Sequence, residues 1–299
     1  MSMDVKERVK TAYEKVYFEL WEMGQRYGEF VQFRVIGRSH DDRMIPMLEI
    51  GKGETCIFCV SGLESSDGDL PEHLLHIAGE YCQFYECGWI VEENYDMRKL
   101  LDRVRICLIP ILNPDGYEIA THGYSAIRNP VYRQMLKMQD CPIEEFGCNA
   151  RGVELKKNFP TNYYQRQRVA QEPASENETK ALIAIFQEYK SAGLLTFGYS
   201  HGRIVYSRQE KGFAYNQRNY KFARYLQKCS GYRLERGRTG TEMGRGLQQT
   251  ADMGSLEQFY AETIRQPSLA IEIPVTSRDV DQELRLLPLE YVYSLERSI

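Results

Sequence analysis

Residues 104–112, VRICLIPIL, form the stretch that most restricts the fold: a single charge, Arg105, interrupts an otherwise apolar run. Laid out as a strand, it is apolar on both faces. Such a strand is stable only between two covering layers, the situation of a parallel sheet with helices on each side. A second run of the same type, IFCV at 57–60, passes through Ser61-Gly62 directly to two carboxylates, Glu64 and Asp67. In an open α/β sheet the carboxyl ends of the strands are where ligands bind.

Around these runs the hydrophobic period alternates between about 3.6 and 2 residues. Residues 4–23 place Val9, Ala12, Tyr13, Val16 and Leu20 at helical spacing, and strand-type runs at 30–36 and 44–50 flank the polar Ser39-His40-Asp41-Asp42 as a hairpin. Residues 71–85 return to helix, with Pro71 in the first turn. Asn113-Pro114 and Asp115-Gly116 are turn formers and predict a chain reversal after the 104–112 strand. A polar, poorly periodic region extends to about 149. Ser175, with Glu178 at the capping-box position, then opens a helix through Tyr189. Strands at 194–199 and 203–206, a helix at 216–229, a Gly-, Arg- and Thr-rich loop or lid at 231–253, and a strand at 267–274 complete the order. The last strand carries one acid, Glu272, among apolar neighbours. With no internal repeat and no low-complexity linker, the expectation is a single α/β domain over residues 1–299, its N-terminal helix packed on it.

Of the 299 residues 42% are hydrophobic and 27% charged, and the formal net charge of -4 gives no sign of a nucleic-acid partner. The charged start does not read as a signal peptide, and no stretch approaches the roughly 18 apolar residues of a membrane span. A cytoplasmic protein is expected, and its eight scattered cysteines are expected to be reduced. Cys56 and Cys59, three apart in a strand, point to opposite faces, which argues against a zinc knuckle or redox pair. His73 and His76 lie three apart on a helix and can share a face. Without a third ligand nearby in the sequence they read as surface or packing residues.

In order and spacing, several motifs resemble those of the zinc metallocarboxypeptidase family, the carboxypeptidase A/B-like enzymes and their bacterial cell-wall-peptide relatives. They are Asn113-Pro114-Asp115-Gly116-Tyr117 after an apolar strand, the stretch from Gly152 to Pro160, the Ser175-Glu176-x-Glu178-Thr179 helix start, and Ile271-Glu272. The resemblance implies a mixed, mainly parallel sheet flanked by helices. It also implies a zinc held by an H-x-x-E pair and a later histidine, a metal-activated water, and a distant glutamate as general base. On this chain the H-x-x-E pair falls on Glu64 and Asp67, and the later histidine on Tyr199, with His201 a substitute two residues on. Glu272 is the general base by resemblance. The Asn-Arg pair that grips a substrate carboxylate falls on Lys156 and Lys157, which keep charge but lose the bidentate fork. The carbonyl-polarising cation falls near Gly147, the lid tyrosine near Gln249, and the specificity floor near Leu256, where an apolar residue suits apolar or small side chains.

The resemblance therefore implies zinc, but with all three ligand positions changed a tight zinc site is disfavoured. Glu64 and Asp67 offer hard oxygen donors that suit Mg²⁺, Ca²⁺ or Mn²⁺ better. The first expectation is a non-hydrolytic or impaired relative binding a peptide or small molecule in the old cleft. The alternatives are an active metallopeptidase with a remodelled metal site using Glu64, Asp67 and His201, and metal-free hydrolysis through Glu272 and a neighbouring acid. Glu64, Asp67 and Glu272 are expected to share one pocket, with Lys156 and Lys157 as counter-ions.

Overall fold

The computed structural model describes residues 12–139, 141–162, 167, 172–237, 254–277 and 279–296. Helix α1 (Tyr13–Arg26) leads into the hairpin of β1 (Val31–Arg38) and β2 (Met44–Ile50), and β3 (Thr55–Val60) follows. Helix α2 (Leu70–Cys87), the short ribbon of β4 (Ile90–Val91) and β5 (Tyr95–Asp96), and α3 (Met97–Arg103) precede β6 (Val104–Ile109). Helices α4 (Pro114–His122), α5 (Pro130–Lys137) and α6 (Asn177–Glu188) separate β6 from β7 (Ser191–Ser200) and β8 (Arg203–Tyr206). After these come α7 (Phe213–Ser230), β9 (Arg233–Arg236), α8 (Leu256–Thr263), β10 (Ser268–Pro274) and α9 (Val280–Glu296).

Eight strands form one mixed sheet in the order β1-β2-β6-β3-β7-β10-β8-β9. The central pairs β6–β3, β3–β7 and β7–β10 are parallel, as is β8–β9 at one edge. The pairs β1–β2, β2–β6 and β8–β10 are antiparallel. Period-2 alternation divides the side chains between two cores. Ile57, Cys59, Ile106, Leu108, Leu195, Phe197, Leu269, Ile271 and Ile273 face the larger one, with residues of α1, α2, α7 and α9. Cys56, Phe58, Val60, Cys107, Ile109 and Leu194 face the smaller one, with residues of α6 and α8. Cys56 and Cys59 thus lie on opposite faces, as their spacing requires, and all eight cysteines are free. Side chains such as Ile57, Phe58 and Leu48 are fully buried. Each contributes about 1.5–3 kcal/mol relative to exposure.

Several local expectations change: Arg233–Arg236, expected within a loop, forms β9, and the helix expected from 216 begins at Phe213. The strand expected to reach Leu112 ends at Ile109. Pro110 has no N–H to give to a ladder, and the N–H groups of Leu112 and Asn113 donate instead to Ser61 O and Gly62 O at 3.2 and 2.8 Å. The turn formers at 113–116 begin a helix rather than reverse the chain. Asn113 is the N-cap of α4, its side chain accepting from Gly116 N–H at 2.9 Å, and Pro114 takes the first helical position. At the start of α6 the cap is Glu176, not Ser175. The Ser175 hydroxyl donates to the Glu176 carboxylate at 2.7 Å and accepts from Asn158 Nδ2 at 3.1 Å, contacts that turn it to these partners and not to the helix N–H groups.

Candidate functional site

The loops after β3 and β6 leave the sheet together and are fixed to one another by Asn113. Its amide donates to Leu63 O at 3.1 Å and to Cys148 O at 3.2 Å while its oxygen caps α4. One buried side chain therefore sets the positions of Glu64, on the first loop, and of Gly147, next to Cys148 on another. A Cβ added to Gly116 would lie 2.4 Å from the Asn113 amide nitrogen, so this junction needs glycine.

Glu64 and Asp67 bracket a single 3-10 turn. Asp67 N–H donates to Glu64 O at 3.1 Å, and Asp67 Oδ2 accepts from Glu64 N–H at 3.1 Å. The Glu64 carboxylate is engaged by Lys156 Nζ at 2.6 Å. A Cβ at Gly147 would stand 3.5 Å from Glu64 Oε1, so backbone without a side chain lines this side. Asp67 is 7% exposed. Burial, and then the charge of Glu64, push its carboxyl up to about 7, against the pull of the Glu64 N–H and of Lys156. Burial pulls the Lys156 ammonium down, but the neighbouring Glu64 outweighs it and the ammonium is held above its ordinary range.

Glu272 reaches the same region from β10. Its register partner on β7 is Gly198, and a Cβ at Gly198 would lie 3.5 Å from Asp67 Oδ1. Gly198 is thus the β7 position shared by Asp67 and Glu272. The Glu272 carboxylate is gripped through both oxygens by Arg203, its cross-strand partner on β8, with Nη2 to Oε1 at 2.8 Å and Nε to Oε2 completing the fork. Arg203 also donates to Glu235 Oε2 at 2.9 Å. The bond from Glu272 is the main reason the guanidinium is held above its ordinary range.

Other sequence-derived site residues lie elsewhere. Tyr199 does not join Glu64 and Asp67. One residue beyond Gly198, it packs on the larger core and donates its hydroxyl to Asp69 Oδ1 at 2.6 Å. His201 is exposed on the bend between β7 and β8. Lys157 pairs with Glu154, not with the carboxylate cluster. Leu256 is fully buried in the smaller core, beside the first turn of α8, and presents no surface to an open cleft. Gln249 lies outside the described residues. Among the described residues, the groups of three His, Cys, Asp or Glu donors within 4.8 Å of one another are His73, His76 and Asp281, and His40, Glu176 and Glu178. Neither contains Glu64 or Asp67.

Sequence reasoning missed Gly198 and Arg203. A glycine inside a strand marks a close approach, which was a usable signal for the first. The second depends on β10 lying between β7 and β8, which no local pattern reveals.

The zinc carboxypeptidase family profile matches residues 17–287. Carboxypeptidase D of Anas platyrhynchos is 30% identical over 166 residues, 52% of this chain and 10% of that protein. Mast cell carboxypeptidase A of Homo sapiens is 24% identical over 232 residues, 66% of this chain and 51% of that protein. The matches thus span about half, or far less, of the length of these relatives. Among solved structures, that of thrombin activatable fibrinolysis inhibitor superposes with a TM-score of 0.70 at 14% identity, covering 97% of this chain and 75% of the other. Carboxypeptidase A from Helicoverpa armigera gives 0.68 at 17% identity, covering 97% and 73%. With the same sheet and helix layers in the solved structures and a profile match that runs from α1 into α9, the chain belongs to the zinc carboxypeptidase family.

Proposed function

We propose that this chain is a family member that has given up zinc-dependent peptide hydrolysis and uses the cleft at the carboxyl edge of the sheet to bind a peptide or another small ligand. The observation that carries this reading is the Lys156 ammonium 2.6 Å from Glu64. A cation of the chain itself occupies the carboxylate that a metal would need. The rest of the donor set agrees. Asp67 is buried and held near neutrality, and Gly198, the β7 position facing it, has no donor to offer. Zinc prefers nitrogen and sulfur ligands, so two oxygens, one already ion-paired, do not fit it. Glu272 is likewise engaged in a bidentate pair, which opposes service as a general base because a base must be free to take a proton. The free cysteines support a reducing, cytoplasmic setting.

The test is metal content by mass spectrometry, with hydrolysis of C-terminal reporter peptides, on protein purified without chelators and on the E64A/D67A variant. The expected result is no metal that depends on Glu64 and Asp67 and no chelator-sensitive hydrolysis. Stoichiometric zinc or manganese lost in the variant, together with hydrolysis abolished by chelation, would overturn the reading.

A further inference from the structure

We propose a metal site independent of the cleft, on the opposite face of the sheet, for a divalent transition ion such as Zn²⁺, held by His73, His76 and Asp281 and oriented by Asp69. The sequence offers only a histidine pair on one helix. The fold supplies what the pair lacks. Asp281, in the first turn of α9 and 208 residues from His73, is brought against α2 between the two imidazoles. His73 Nδ1 lies 2.6 Å from Asp281 Oδ1 and His76 Nδ1 lies 3.8 Å from Asp281 Oδ2, so both rings present the same nitrogen to one carboxylate. One donor atom from each of the three residues lies within 4.8 Å of the others. A zinc ion with ligand bonds of about 2.0–2.2 Å needs its donors roughly 3.4 Å apart, which the two measured separations bracket. The adjustment falls on the His76 and Asp281 side chains, which are 64% and 39% exposed.

The surroundings match what such a site requires. Positions 69, 73 and 76 fall on one stripe of α2, and Asp69 Oδ2 is 3.6 Å from His73 Nε2. At that distance the carboxylate is an ion-pair neighbour of Nε2, while Nδ1 is engaged by Asp281; when an ion takes the place of that contact, Asp69 biases the remaining ring proton toward Nε2. Asp69 is itself held by the Tyr199 hydroxyl at 2.6 Å. The His76 side chain is 64% exposed, so an ion has an open path. Two imidazole nitrogens and a carboxylate favour Zn²⁺, Co²⁺ or Ni²⁺ over Ca²⁺ or Mg²⁺. Bound there, the ion joins α2 to α9.

The experiment is titration of the chelator-treated full chain with Co²⁺, read by visible absorption, and with Zn²⁺, read by calorimetry. One equivalent is expected in the wild type and in E64A/D67A. His76→Ala and Asp281→Asn, both changes at partly exposed side chains, are expected to weaken binding at least tenfold, and Asp69→Asn by about ten- to a hundredfold. Absence of binding, or wild-type affinity in both H76A and D281N, would overturn this inference and leave the reading of the cleft intact. Binding lost only in E64A/D67A would overturn both.

Discussion

Replacing Asp67 by Asn isolates the electrostatic cost that the cleft carries without a metal. Asp67 moves from an ordinary carboxyl value of 3.8 to about 7 in the folded protein, because burial and the charge of Glu64 outweigh the Glu64 N–H and Lys156. A carboxyl raised on folding leaves stability fully present below its unfolded value and removes it as pH rises through the folded one. Wild-type protein should therefore lose stability between about pH 4 and 7 relative to D67N, whose neutral amide keeps an oxygen for the Glu64 N–H. At about 1.4 kcal/mol per pH unit the ceiling is about 4 kcal/mol above pH 7, and about 2 kcal/mol is a working figure once local relaxation is allowed. Urea denaturation of both proteins at pH 4, 5.5, 7 and 8 reads the difference. D67N should match wild type at pH 4 and exceed it at pH 8. A D67N protein less stable than wild type at pH 8 would refute the argument, since it would mean that the carboxylate is ionised and held by a cation.

Other consequences are separable from this one. Combining E64H, D67E, G198H and K156N restores a histidine-glutamate pair with a second histidine on the β7 position that faces it, and removes the ammonium. Stoichiometric zinc by mass spectrometry is expected, and its absence would show that Gly198 is not the missing ligand position. A double-mutant cycle on Arg203→Met and Glu272→Gln, whose side chains are 30% and 22% exposed, should give a coupling of about 1–2 kcal/mol in urea denaturation. A value near zero would show that the fork does not hold Glu272 in solution. Glu178 is fully buried, and burial followed by the charge of Asp115 raises it to about 8. Glu178→Gln should therefore gain stability over wild type as pH climbs from about 4.5 through 8, and parallel pH profiles would contradict this.

The strands were legible because burial on two faces leaves a composition that few other structures tolerate, as at 57–60 and 104–112. The starts of α2 and α6 were legible to within a residue, that of α7 to within three, and that of α4 reads in the sequence as a turn; at α6 the Ser175 hydroxyl has an alternative partner in its neighbour Glu176, which sequence pattern does not show. At β7 the residue matched to the later histidine, Tyr199, lies one position from Gly198, which borders Asp67, and in a strand one residue exchanges the faces of the sheet. Glu64, Asp67 and Glu272 were picked out by motif order; of the two lysines expected as counter-ions, Lys156 pairs with Glu64 and Lys157 with Glu154. Arg203 and Asp281 were invisible, because each meets its partner only through the order in which β10 and α9 are laid onto the sheet.

The charges of the cleft can be counted without a metal. Glu64 is matched by Lys156, Glu272 by Arg203, and Asp67 avoids the question by sitting near the midpoint of its titration at neutral pH. A dication added to this arrangement meets two fixed cations, which disfavours it beyond the choice of donors. Removing one of those cations should reverse the preference. Lys156→Met leaves Glu64, whose side chain is 25% exposed, beside Asp67 with no other ion-paired cation among the described residues. Like carboxylates in contact then either protonate or recruit a hard cation. The variant is expected to be stabilised by millimolar Ca²⁺ or Mn²⁺ in thermal unfolding at pH 8, with no comparable effect in wild type. Ca²⁺ is the cleaner probe, since the imidazoles of the His73, His76 and Asp281 group discriminate against it. If K156M and wild type respond to Ca²⁺ alike, the ammonium is not what keeps metal out, and the reading of the cleft loses its main support.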